Sequence, residues 1–74
     1  MKNPKDKKFL AAFGKNLRKL RTGKKLSQEK LSDEAGLSEN MVGFMERGTV
    51  NPTLITLRAL AKELDCSIKD LVDF

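Results

Sequence analysis

Apolar residues recur at spacings of three and four along most of the chain, and no alternating apolar–polar stretch is long enough to suggest a strand. Phe9, Phe13, Leu17 and Leu20 form one stripe, with Lys7, Lys8, Lys15 and Lys19 outside it. This predicts a first helix from near Pro4 to about Thr22, capped by Asn3 and followed by Gly23 as a stop. Gly14 interrupts the stripe at a cost of about 1 kcal/mol in helix propensity. A second helix starts after Ser27, ends at Ala35 and is closed by Gly36, with Leu31 and Ala35 inward. A third starts after Ser38 as cap and ends near Arg47, with Gly48 following. Val42 and Met45 face inward with Leu37, and Met41 lies beside them. Asn51-Pro52-Thr53 announces a fourth helix from Leu54 to about Leu64, with Leu54, Leu57, Leu60, Ala61 and Leu64 as its apolar stripe. A fifth starts after Ser67 and carries Ile68, Leu71, Val72 and Phe74. The expectation is an all-α, compact five-helix domain with tight connections, low in contact order and fast to fold.

The second and third helices, joined at Gly36, make a pair of a size that fits the DNA major groove. The outward face of the third carries Glu39, Asn40, Gly43, Phe44 and Arg47, whose spacings place them on one side of a helical cylinder. Asn pairs well with adenine and Glu can accept from the cytosine amino group, so Glu39 and Asn40, near the helix start, are candidate base readers. Glu39 would also stabilise a helix start with no partner at all. Gly43 in mid-helix costs about 1 kcal/mol relative to alanine, which either close approach to DNA or close packing against the first or second helix would justify. Phe44 could touch thymine methyls or fold back onto its own surface.

Composition narrows the chemistry. With 74 residues the chain is near the lower limit for an unstapled core, and with 5% aromatic residues that core must be mostly aliphatic. One cysteine, Cys66, and no histidine leave no disulfide framework, no metal-ligand cluster and no acid–base constellation, so neither an enzyme nor a cofactor is expected. Cys66 reads as a small buried hydrophobe. No apolar run suits a bilayer and no signal peptide is evident, so no membrane association and a cytoplasmic location are expected. Residues 1–30 hold eleven Lys or Arg against two acids, a balance of +9, while residues 31–74 hold four against eight, a balance of −4. Such a basic half suits a polyanionic partner such as nucleic acid, or is simply a solvated lysine-rich helix.

Leu26-Ser27-Gln28-Glu29, Gly36-Leu37-Ser38, Val42-Gly43, Glu46-Arg47-Gly48 and Pro52-Thr53-Leu54 together resemble the helix-turn-helix family of phage repressors, Cro and Xre-type regulators. Restriction-modification controller proteins belong to it. The resemblance spans roughly residues 9–72 and implies a lambda-repressor-like fold with the helix-turn-helix at the second and third helices. Residues 9–74 would be the single domain and residues 1–8 a basic N-terminal arm or the start of the first helix. It also implies that Gln28 bonds a phosphate of double-stranded DNA and braces the first recognition side chain. Ser38, Arg47, Asn51, Thr53 and Asn16 join the expected phosphate-binding set, although Thr53 could be only a cap. Arg21 and Glu46 would form an ion pair linking the first helix to the end of the third, a structural role. One such unit reads only a few base pairs, so a homodimer on a pseudo-palindromic operator is expected. Ile68, Leu71, Val72 and Phe74, within the C-terminal helix 67–74, are the expected dimer contact, or else they close the monomer core. The implied function is sequence-specific transcriptional regulation, with RNA polymerase as a possible contact through an acidic exposed surface. The alternative is an antitoxin or other protein-binding module on the same fold.

Overall fold

A computed structural model describes residues 6–74, and these form five α-helices: α1 (Lys7–Gly23), α2 (Gln28–Glu34), α3 (Met41–Glu46), α4 (Leu54–Glu63) and α5 (Ile68–Val72). The core takes side chains from all five: Phe13 and Leu17, Leu31, Val42 and Met45, Leu60 and Ala61 with Leu64, and Leu71. Each is a fully or nearly fully buried hydrophobe, and burying a large one contributes about 1.5–3 kcal/mol.

Local chemistry sets most of the helix ends. Ser27, Thr53 and Ser67 each accept from the backbone N–H three residues on, and Ser67 completes a reciprocal capping box with Asp70. The Asp70 carboxylate accepts from the Ser67 N–H at 3.0 Å, which holds its pKa below the ordinary aspartate value. Gly36, with φ +69°, closes α2 as expected.

Four expectations are corrected. The first helix starts at Lys7, because Asp6 adopts an extended backbone and its side chain accepts from Phe9 N–H at 3.0 Å. Asn3 and Pro4 lie outside the described residues. Ser38 does not cap α3. It contributes only its carbonyl, to Met41 N–H, and Asn40 stands at the cap position with φ 69° and no capping side chain. The Val42 N–H is satisfied instead from another helix, by the buried hydroxyl of Ser32 at 3.1 Å. Leu54 does not join the α4 stripe and is 69% exposed, since it sits one turn before Leu57, beyond the edge of the core. Phe9 is half exposed too, and its ring leans on that of Phe74 with centroids 5.2 Å apart.

The least expected contact lies between α1 and α3. Gly14 is buried against the end of α3, and a Cβ there would fall 2.6 Å from the Met45 carbonyl oxygen and hard against that of Glu46. The glycine that interrupts the stripe is what lets two helix backbones touch.

Candidate nucleic-acid interface

The α2–α3 unit is fixed from beneath by one charged cluster. Arg21 donates from Nε to Glu46 Oε2 at 2.6 Å, from Nη2 to Glu46 Oε1 at 3.0 Å, and from Nη1 to the Leu26 carbonyl at 2.7 Å. Both side chains are at most a tenth exposed. The bond to Glu46 raises the Arg21 pKa above its ordinary value, against the opposing effect of burial. Gln28 completes the cluster by donating from Nε2 to Glu46 Oε1 at 3.0 Å. The side chain that opens α2 is thereby tied to the last residue of α3. A buried pair of this kind adds little net stability but is costly to break, so its effect is geometric.

Above the cluster lies Gly43. It is buried, and a side chain of the second helix covers it, which is one of the two reasons the sequence offers for a glycine there. A Cβ there would stand 3.2 Å from Gln28 Oε1 and 3.3 Å from Arg47 Nη1. The tips of two polar side chains therefore converge over the middle of α3. Phe44 is 39% exposed, and the Arg47 guanidinium carbon lies 5.1 Å from its ring centroid. Glu39 and Asn40 are exposed but sit in the turn ahead of α3, not on the helix. With Ser27, Gln28 and Asp33 they border an open cleft of about 760 Å³ on the outer side of α2.

The remaining candidates divide. Ser38, Asn51 and Thr53 are exposed, and the Thr53 hydroxyl also caps α4. Asn16 lies elsewhere. Its Nδ2 donates to the Asp70 and Leu71 carbonyls at 2.9 Å each, tying α1 to α5 with both amide hydrogens engaged, so its expected phosphate role is corrected to a structural one. Leu71 is completely buried in the monomer core, so it has no surface to offer a second copy, while Ile68 is partly buried and packs against that core. Val72 and Phe74 remain exposed. Sequence reasoning missed Ser32, for which only a three-dimensional contact gives a signal. It also missed Ile55, which is 64% exposed beside Leu54 and legible as an apolar residue off the stripe.

The helix-turn-helix pattern matches residues 17–71, most of the chain, including α2, α3 and the Arg21–Glu46–Gln28 cluster. The chain belongs to the helix-turn-helix family. This helix-turn-helix chain is 40% identical over 63 residues to the control protein C.BamHI of Bacillus amyloliquefaciens, covering 84% of this chain and 78% of that one. Its fold matches the restriction-modification controller protein C.AhdI from Aeromonas hydrophila with a TM-score of 0.81 and 45% identity, over 84% of this chain and 94% of that one. It also matches the P22 c2 repressor, solved in complex with a synthetic operator, with a TM-score of 0.76 and 31% identity over 82% and 92% of the two chains. The helix-turn-helix chain is thus a DNA-binding transcriptional regulator of the Xre type with a five-helix, lambda-repressor-like fold. No described helix is long and apolar enough to cross a membrane.

Proposed function

We propose that the protein binds a pseudo-palindromic operator in double-stranded DNA as a homodimer, with α3 and the turn before it in the major groove. The observation that carries this reading is the Arg21–Glu46–Gln28 cluster. It locks the start of α2 to the end of α3 while leaving their outer side open. In this reading Asn40 and Glu39 meet base edges at the entry of the groove, and Gln28, Ser38, Asn51 and Thr53 meet phosphates on its two rims. The left-handed backbone at Asn40 turns the chain sharply into α3 and brings both side chains ahead of the helix.

A single unit of this size covers only a few base pairs, so specificity calls for a second copy one helical turn away. The contact we favour is the Leu54–Ile55 pair, the most exposed of the large hydrophobics, together with Val72 and Phe74. Leu54 and Ile55 follow Thr53 directly, so a two-fold contact there would meet beside the phosphate rim and set both reading units on one face of the duplex. The exposed acids Glu29 and Asp33 on α2 are the surface that an RNA polymerase contact would use.

Selection from random duplex DNA, read by sequencing, tests the core of this reading and is expected to return a pseudo-palindrome with half-sites about one helical turn apart. Failure to enrich any sequence would defeat the DNA-binding assignment. Ile55→Asp should give a monomer in sedimentation with unchanged helical circular dichroism and weakened operator binding. An unchanged dimer would move the contact elsewhere.

A further inference from the structure

The reading face contains one cation whose placement is more specific than phosphate contact requires. Arg47 follows α3, and its side chain runs back towards the helix N-terminus, as long helical side chains do. Its Nη1 comes within 3.3 Å of the place a Gly43 Cβ would occupy, so the guanidinium lies over the centre of α3, one turn before its own Cα. The same guanidinium sits over the face of the Phe44 ring at 5.1 Å. Arg47 forms an ion pair with no carboxylate of the described residues, unlike Arg21, each of whose three guanidinium nitrogens donates a hydrogen bond. The result is a planar fork of donors held by a glycine floor on one side and an aromatic plate on another, open towards the groove.

We infer that Arg47 is a base reader that selects a guanine in each half-site, and that Phe44 is the positioning residue that holds its guanidinium flat for that contact. This inference rests on the proposed major-groove binding of α3. Guanine presents O6 and N7 together in the major groove, and a guanidinium fork satisfies both at once. A phosphate needs neither the glycine floor nor the aromatic plate, because an arginine at the rim reaches it in many rotamers. Three features of the face then have one explanation. Gly43 makes room for the guanidinium, Phe44 orients it, and Gln28, drawn aside by Glu46, occupies the other edge of the same floor.

The test is the duplex selection repeated with the full-length protein and three variants: Arg47→Lys, Phe44→Leu and Phe44→Trp. All three changes are at exposed positions, and thermal melting checks that the fold is kept. The wild-type motif should contain one guanine per half-site preferred about tenfold or more over other bases. Arg47→Lys keeps the charge but loses the fork, so that preference should collapse while the rest of the motif persists. Phe44→Leu should lower the same preference by about two- to fivefold, the factor that corresponds to an exposed cation–π contact, and Phe44→Trp should preserve it. A motif whose guanine preference is unchanged in Arg47→Lys, with affinity reduced equally on all sequences and a shallower salt dependence, would overturn the inference in favour of phosphate contact and leave DNA binding intact. No enriched motif with the wild type would instead remove the reading on which the inference rests.

Discussion

Two glycines, one packed against α3 and one within it, do opposite work. Gly14 abuts backbone, since a methyl group there would strike the carbonyls of Met45 and Glu46. Gly43 abuts only the tips of Gln28 and Arg47, which can move. The inner side of the reading helix is therefore set by main-chain contact that cannot adjust, and its outer side by side chains that can. Fold and recognition are separated across a cylinder six residues long. A substitution at one glycine should be felt in stability, and at the other in DNA binding.

The harshest way to break the inner side is Glu46→Ala. It strands the buried Arg21 guanidinium and should cost about 3–5 kcal/mol, measured as a fall in the urea midpoint. Gly14→Ala should come next, at about 1–3 kcal/mol net of the propensity it gains, because overpacking against backbone can be relieved only by moving α1 from α3. An unchanged midpoint would mean that the two helices slide more freely than the close contact implies. Gly43→Ala sharpens the contrast. Helix propensity favours alanine by about 1 kcal/mol and the obstructing tips can shift, so thermal stability should hold or rise slightly. Operator affinity should nonetheless fall several-fold in a fluorescence-anisotropy titration, because the shifted tips are those of Gln28 and Arg47. Loss of both stability and affinity in Gly43→Ala would erase the distinction between the two sides.

Much of the fold was legible where local chemistry decides it. Ser27, Thr53 and Ser67 cap the helices they precede, Gly36 turns between α2 and α3, and Phe13, Leu17, Leu31 and Leu60 are buried where helical spacing puts them. Local rules failed where a distant residue took over. Ser38 looked like a cap, but Ser32 supplies the hydroxyl from the neighbouring helix, so α3 starts later than its own sequence suggests. Gly14 looked like a flaw in a stripe because its partner lies more than thirty positions away. Leu54 fits the spacing of α4, but spacing says nothing about where the core ends. At the interface, the Arg21–Glu46 pair was implied by family resemblance alone. The reach of Arg47 back towards Gly43 and Phe44 follows from their spacing on one face, but the seat of its guanidinium between them shows only in the folded chain.

The Ser32–Val42 bond has a consequence for how the reading surface comes into being. An isolated helix of six residues is far below the length at which helices persist in water, and this one has its Val42 amide satisfied by a hydroxyl of the neighbouring helix. A synthetic peptide copying residues 38–48 would be coil and blind to any operator. In the intact protein, opening of α2 releases α3 in the same event, so the Val42 amide should exchange with solvent at the rate set by that opening. The surface that meets DNA is borrowed order, present only while the rest of the domain lends it.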